Sequence, residues 1–253
     1  MNAKTALLTP IFVPQALWVA ARASRLPEAS GLRSGMSGEG PRRSLLILGD
    51  SSAAGVGAKT QREALAGRLL ARLGQHFTVH WQVVAQSGAT CASARDMLAK
   101  LPDQQFDFVV IALGVNDVKN GVGLGHWKQR YAALVQDLTS RFRAARICLC
   151  GVPPLGAFPL LPWPLNAVLG ARASRFDAVI QTLAQQSDNG VHLPMHFPMD
   201  VSSMASDGFH PGPEVYAEWA RRAAVCLVPD ALTRSPSAVA SGFRVPTLQD
   251  QQP

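Results

Sequence analysis

The 253-residue chain is 47% hydrophobic and 16% charged, which suits one sizeable core and excludes a long solvated coiled coil. Four cysteines are too few for a disulfide-stapled scaffold, and no His/Cys cluster has zinc spacing, so all four are expected to be reduced and structural. The net charge of +7 is concentrated at the N-terminus: residues 1–44 carry +4, residues 231–253 carry +1 and the long middle only +2. No basic stripe with interleaved aromatics occurs, so nucleic acid is not an expected partner.

Seventeen residues without charge separate Lys4 from Arg22. That is short for a membrane span, and Pro10 and Pro14 interrupt it as a helix. Ala21-Arg22-Ala23 resembles a signal cleavage site. Two fates stay open: cleavage on export, or retention as an apolar segment that packs on the body or touches a membrane surface. Localisation, exported or else cytoplasmic or membrane-associated, stays open with them. Residues 24–44 are rich in Gly, Ser, Arg and Pro and read as a linker.

Leu45–Leu48 is a short apolar run ending at Gly49-Asp50, the pattern of a strand buried on both faces. A helix follows over 61–75, a second strand over 79–85 and a short helix over 92–101. Phe106–Leu113 is the third strand, 126–144 an amphipathic helix, 146–152 the fourth strand and 166–187 another helix. A fifth strand is expected within 190–197 and a last helix over 213–228. The polar tail 231–253 is expected to be loose. About five alternations of strand and helix predict a parallel sheet covered by helices on both faces, as one domain over 45–230.

In such sheets ligands bind beyond the carboxyl ends of the strands. Gly49-Asp50-Ser51-Ser52 follows the first strand, Gln86-Ser87-Gly88-Ala89 the second, Gly114-Val115-Asn116-Asp117 the third and Asp207-Gly208-Phe209-His210 the fifth. Together they offer acyl-transfer chemistry. A serine hydroxyl needs a base to take its proton, and His210 can take that of Ser51. Asp207, three residues earlier, can accept from the other ring nitrogen and fix the tautomer. The oxyanion formed on attack needs preorganised donors, for which the N–H groups of Ser51 and Gly88 and the Asn116 amide are candidates. Asp50 and Asp117 read as carboxylates that hold loop shape through backbone N–H bonds.

These four blocks, in this order, resemble the SGNH (GDSL-type) hydrolase family of esterases and lipases. The family's serine, glycine, asparagine and histidine map onto Ser51, Gly88, Asn116 and His210, and its acid onto Asp207. The resemblance spans about 45–228. It implies a three-layer α/β/α, flavodoxin-like fold and hydrolysis of carboxylic esters through an acyl-enzyme, with neither metal nor organic cofactor. Ser52 stands where the family commonly has leucine, which places a second serine beside the first. Ala53 breaks the G-x-S-x-G elbow of ordinary α/β-hydrolases.

The segment 153–165 interleaves five prolines with apolar side chains after the fourth strand. Phe158, Leu160 and Trp163 are expected to wall an acyl chain, which favours aliphatic or lipid-like esters as the small-molecule substrate. A thioesterase, a lysophospholipase or a sugar O-deacetylase would use the same residues. The contrasting class is a non-catalytic nucleotide-binding or interaction module. Gly55-Val56-Gly57 invites that reading, but Thr60 occupies the third glycine position of the dinucleotide fingerprint.

Overall fold

The computed structural model describes residues 14–15, 18–19, 26–197 and 200–229. The 231–253 tail and most of the leader, including Ala21-Arg22-Ala23, lie outside the described residues. Among the described residues no helix is long and apolar enough to cross a membrane.

The strands are β1 (Ser34–Ser37), β2 (Arg42–Gly49), β3 (Thr78–Ala85), β4 (Phe108–Ala112), β5 (Arg146–Cys150) and β6 (Gly190–Leu193). The helices are α1 (Leu65–Leu73), α2 (Cys91–Ala99), α3 (Val115–Lys119), α4 (Leu124–Ser140), α5 (Leu165–Gln185) and α6 (Pro213–Leu227). One sheet runs in the order β1-β3-β2-β4-β5-β6. Its last five members are parallel, and β1 lies antiparallel on the outer side of β3. The sheet is therefore mixed and six-stranded rather than purely parallel and five-stranded. Part of the expected linker is a strand: Ser-Gly-Met-Ser has no strand signature, and its pairing with β3 (Gly35 opposite Trp81) is a tertiary effect. The fifth parallel strand is also shorter than the 190–197 window, ending at Leu193.

Helices cover both faces. Leu45, Ile47, Val110 and Cys148 point to α1 and α6, where they meet Leu69, Tyr216 and Trp219. Leu46, Leu48, Val109, Ile111 and Ile147 point the other way, against Trp127 and Leu134 of α4 and Phe176 of α5. Alternate residues of each strand thus feed two cores, which is why the central strands are apolar throughout. Cys148 and Cys150 do share one face, and the four cysteines are free thiols.

The order of the five parallel strands is that of the flavodoxin-like fold. From β2 the chain first crosses to β3 on one side and then to β4 on the other. The polypeptide thereby diverges beyond the carboxyl ends of β2 and β4, leaving a crevice there. Gly49-Asp50-Ser51 and Gly114-Val115-Asn116 emerge at that point.

Candidate active site

β2 ends at Gly49 because the chain must turn sharply beside β4. A Cβ on Gly49 would stand 2.5 Å from Ala53 Cβ and 2.6 Å from Ala112 O. The turn that follows is closed by Ala54 N–H to Asp50 O (2.9 Å) and Val56 N–H to Ser51 O (2.9 Å). From α6 the Tyr216 hydroxyl reaches the carbonyls of Ser52 (3.0 Å) and Val56 (2.6 Å). Ser51 is held at the sheet edge by its own turn and by a helix 160 residues away in sequence, as the 160-residue separation of Tyr216 and Val56 records.

Ser51 Oγ lies 2.9 Å from His210 Nε2. His210 Nδ1 lies 2.6 Å from Asp207 Oδ2. The second oxygen, Asp207 Oδ1, accepts from the N–H of Phe209 and of His210, both at 2.9 Å. Gly208 permits this tight turn with φ +64°. Burial pushes the Asp207 pKa up, but the His210 ring and the two N–H donors outweigh it and hold it below the usual carboxylate range. Asp207 therefore stays ionised and can fix the imidazole with its Nδ1 protonated, leaving Nε2 to face the serine. Of the two adjacent serines it is Ser51, not Ser52, that meets His210; Ser52 donates its N–H to Asp50 Oδ1 at 3.0 Å.

Ser51 and Asn116 both line one apolar cleft, and Gly88 lies next to Ala89, whose carbonyl accepts from Asn116. Among the described residues neither the Ser51 nor the Gly88 N–H has an acceptor. Gly88 has φ +82°, and a Cβ there would project into open space. Its turn is pinned on both sides. Thr90 and Ser93 form a capping box at the start of α2, and Glu28 accepts from both the N–H and the hydroxyl of Ser87 at 2.7 Å. Glu28 lies in the segment read as linker, and its role was not legible in the sequence. Asn116 is 5% exposed and its amide donates to Ala89 O at 3.0 Å, with a longer 3.3 Å contact to Asp50 Oδ2. Asp117 holds the neighbouring turn by accepting the Cys91 N–H at 3.0 Å. Both carboxylates thus brace loops, as their positions suggested.

An apolar cleft opens from Ser51 and Asn116 and runs between Phe158, Cys150, Met195, Phe197, Met204 and Trp219. Of the three residues expected to wall an acyl chain, only Phe158 is among those lining this cleft. Leu155, Phe158 and Leu161 turn inward at roughly helical spacing, so Trp163 faces outward and is 73% exposed. Leu160 is not in the lining; it donates its N–H to Gly208 O at 3.3 Å and braces the histidine turn instead. The loop containing Trp163 meets the leader, through Gln15 Nε2 to Trp163 O at 2.8 Å. Among the described residues no cluster of His, Cys, Asp and Glu is arranged to hold a metal ion.

Residues 47–218 match the GDSL-like Lipase/Acylhydrolase family. The chain belongs to that family. A GDSL-like esterase of Mycobacterium tuberculosis is 31% identical over 187 residues, covering 68% of this chain and 58% of the relative. The chain thus spans less than two thirds of that relative's length. Among solved structures, TesA is similar with TM-score 0.58 and 23% identity over 74% of this chain and 99% of TesA. A carbohydrate esterase family 2 enzyme with a carbohydrate-binding domain from Corynascus thermopiles (Myceliophthora fergusii) is similar with TM-score 0.60 and 19% identity, over 76% of this chain and 68% of that one. The psychrotrophic esterase EstA from Pseudoalteromonas sp. has TM-score 0.56 and 20% identity, over 76% of this chain and all of EstA (100%). At these identities the likeness is one of fold, and it agrees with the GDSL-family architecture described above.

Proposed function

We propose that this GDSL-family protein is a serine esterase that hydrolyses aliphatic carboxylic esters through an acyl-enzyme on Ser51. The observation that carries the reading is the contact chain Ser51 Oγ–His210 Nε2–Asp207, with separations of 2.9 and 2.6 Å. His210 takes the hydroxyl proton as Ser51 Oγ attacks the ester carbonyl. The carbonyl oxygen becomes an oxyanion and receives the Ser51 and Gly88 N–H groups and the Asn116 amide. The tetrahedral adduct collapses, the imidazolium gives its proton to the departing alcohol, and the acyl group stays on Ser51. Water then enters, gives a proton to His210 as its oxygen attacks the acyl carbon, and the adduct collapses with the carboxylic acid leaving and the imidazolium proton returning to Ser51 Oγ.

The apolar cleft supports an aliphatic acyl group over an acetylated sugar. Its wall offers sulfur, aromatic and aliphatic surface, and Met195 and Met204 can adapt to chains of different length. Thioester hydrolysis would engage the same residues in the same roles.

The test is a series of 4-nitrophenyl esters from acetate to decanoate, with Ser51→Ala as control. Turnover of the longer acyl esters, abolished in Ser51→Ala and blocked by a phosphonate that labels Ser51, is expected. Activity confined to acetylated sugars would overturn the aliphatic preference. Absence of turnover on every ester would overturn the esterase reading.

A further inference from the structure

A cation stands against Phe209, one of the rings that line the cleft. Val115 and Asn116 of α3 line the cleft, and Lys119, four and three residues later, lies on the same side of that helix. Its ammonium stands 5.2 Å from the centroid of the Phe209 ring. Phe209 in turn packs edge-on against the His210 ring, with centroids 5.3 Å apart, and against Phe158 at 5.2 Å. Lys119 is therefore stationed beside the general base, across one aromatic ring.

Among the described residues no carboxylate pairs with Lys119. Lys119 is exposed, although neighbouring protein lowers its pKa below that of a free lysine, with Asp50 pulling the other way. An exposed cation resting on a ring face, with no described carboxylate in contact, is open to an anion. The chemistry of the step says which part of the substrate passes there. His210 must hand its proton to the departing alcohol, so the alcohol portion lies on the imidazole side, at the edge of the cleft where Phe209 borders both the lining and Lys119.

We propose that Lys119 is a specificity-determining residue that binds an anionic group, phosphate or carboxylate, on the alcohol portion of the ester. The substrate is then amphiphilic: an aliphatic acyl chain in the apolar cleft, an ester at Ser51, and a negative charge on the alcohol. This inference rests on the esterase reading above and names the substrate class of the same site. A purely structural Lys119 would only steady the Phe209 ring, and its loss would affect neutral and anionic esters alike.

Two matched pairs separate these roles. One is the butyrate ester of 4-hydroxy-3-nitrobenzoate against that of its methyl ester. The other is butyrylglycerol phosphate against butyrylglycerol. The ratio of kcat/KM, anionic over neutral, is measured for wild type, Lys119→Met and Lys119→Arg, at low and high salt. Lys119→Met is expected to lower that ratio about tenfold in at least one pair, and Lys119→Arg to retain it. Added salt should erode the wild-type ratio and leave that of Lys119→Met flat. The responding pair identifies carboxylate or phosphate as the group recognised. Ratios unchanged by Lys119→Met in both pairs would overturn the inference. Failure of wild type to turn over even the neutral members would instead overturn the esterase reading beneath it.

Discussion

The Tyr216 hydroxyl, on the buried face of α6, donates to the Val56 carbonyl oxygen at 2.6 Å and lies 3.0 Å from that of Ser52. Burial keeps its phenol protonated well beyond the usual range, so it remains a donor at any working pH. It ties the turn that carries Ser51 to the helix that follows His210. Tyr216→Phe removes the donor while keeping the ring. The expected loss is about 1–3 kcal/mol of stability, from the buried Val56 carbonyl left without its donor, since Ser52 O keeps the Gly55 N–H at 3.2 Å. Because the ring still packs, the loosened turn should show mainly in kcat, with KM little changed. Denaturant unfolding and steady-state kinetics on one neutral ester check this; a variant equal to wild type in both would show that the turn holds its shape alone.

Asp207 accepts three hydrogen bonds, two from its own turn and one from His210 Nδ1. Asp207→Asn keeps the size but can present an amide N–H to Nδ1, which favours the tautomer with the proton on Nε2, facing Ser51. A histidine in that tautomer cannot accept the serine proton. A fall in kcat of about 10²–10⁴ is expected, with the residue from oxyanion stabilisation surviving. The pH profile adds a sign. The Asp207 pKa is lowered in the folded protein, so its contribution to stability is present above the unfolded carboxylate value and lost as pH falls through the folded one. The stability gap between wild type and Asp207→Asn should therefore narrow on acidification below about pH 4.

Much of this site was legible because its members sit where parallel strands stop. The apolar runs Leu45–Leu48 and Phe106–Leu113 mark strands buried on two sides, and the polar residues directly after them must lie at the sheet edge. Ser51, Gly88 and Asn116 could thus be placed at one sheet edge, whereas Asp207 and His210, 14 residues or more beyond the end of β6 at Leu193, were joined to them by motif order and the family resemblance. The wall of the cleft could not be placed. Trp219 has the spacing of an ordinary core residue on α6, and it is also that, donating to Cys150 Sγ at 3.3 Å. Nothing local distinguishes a core face that also borders a crevice. In 153–165 every apolar residue looks equivalent, and the turn at Leu155–Ala157 decides that Phe158 goes in and Trp163 out. Glu28 and β1 were hidden for a related reason: their partners, Ser87 and β3, lie about fifty residues away, and the local sequence has no strand or cap signature.

Gly151, at the exit of β5, has no room for a side chain. A Cβ there would stand 2.1 Å from Asp177 Oδ1 and 2.9 Å from His192 Nε2. These two groups are paired at 3.0 Å, and Asp177 Oδ1 also accepts the Val152 N–H at 3.2 Å. The pair links α5 to β6 immediately behind the cleft. Gly151→Ala must push the carboxylate away and break one or both bonds. A loss of about 1–3 kcal/mol is expected from the forced shift. Gly151→Ala combined with Asp177→Ala should cost less than the sum of the separate losses, because the clash disappears with the carboxylate. Additive losses would show that the clash is relieved elsewhere.

Asp50 joins stability and function with opposite signs. Its carboxyl is buried between the Ser51 turn and Asn116, and its pKa is pushed up to about 6, first by burial and in part by Asp117, against the Ser52 N–H, His210 and Lys119. A raised carboxyl pKa means that the folded state prefers the neutral form. The associated stability is complete below the unfolded value near pH 4 and is lost as pH rises through about 6, so that ionised Asp50 costs about 3 kcal/mol at neutral pH. Asp50→Asn carries no ionisable group and escapes that loss. Relative to wild type, its unfolding free energy should therefore improve by up to about 3 kcal/mol between roughly pH 4 and pH 7.5, whatever constant offset the new amide introduces. Activity should move the other way. The variant withdraws the negative charge that attracts His210 and the acceptor that steadies Asn116 Nδ2, so kcat/KM on a neutral ester should fall, most above about pH 6 where Asp50 is charged. Paired denaturant titrations across that range read the first effect and steady-state kinetics the second. A stability difference flat in pH would mean that Asp50 ionises in the folded protein as it does in the unfolded chain, so that burial does not raise its pKa, whereas a difference still growing at pH 7.5 would mean that it stays a carboxylic acid beside Asn116.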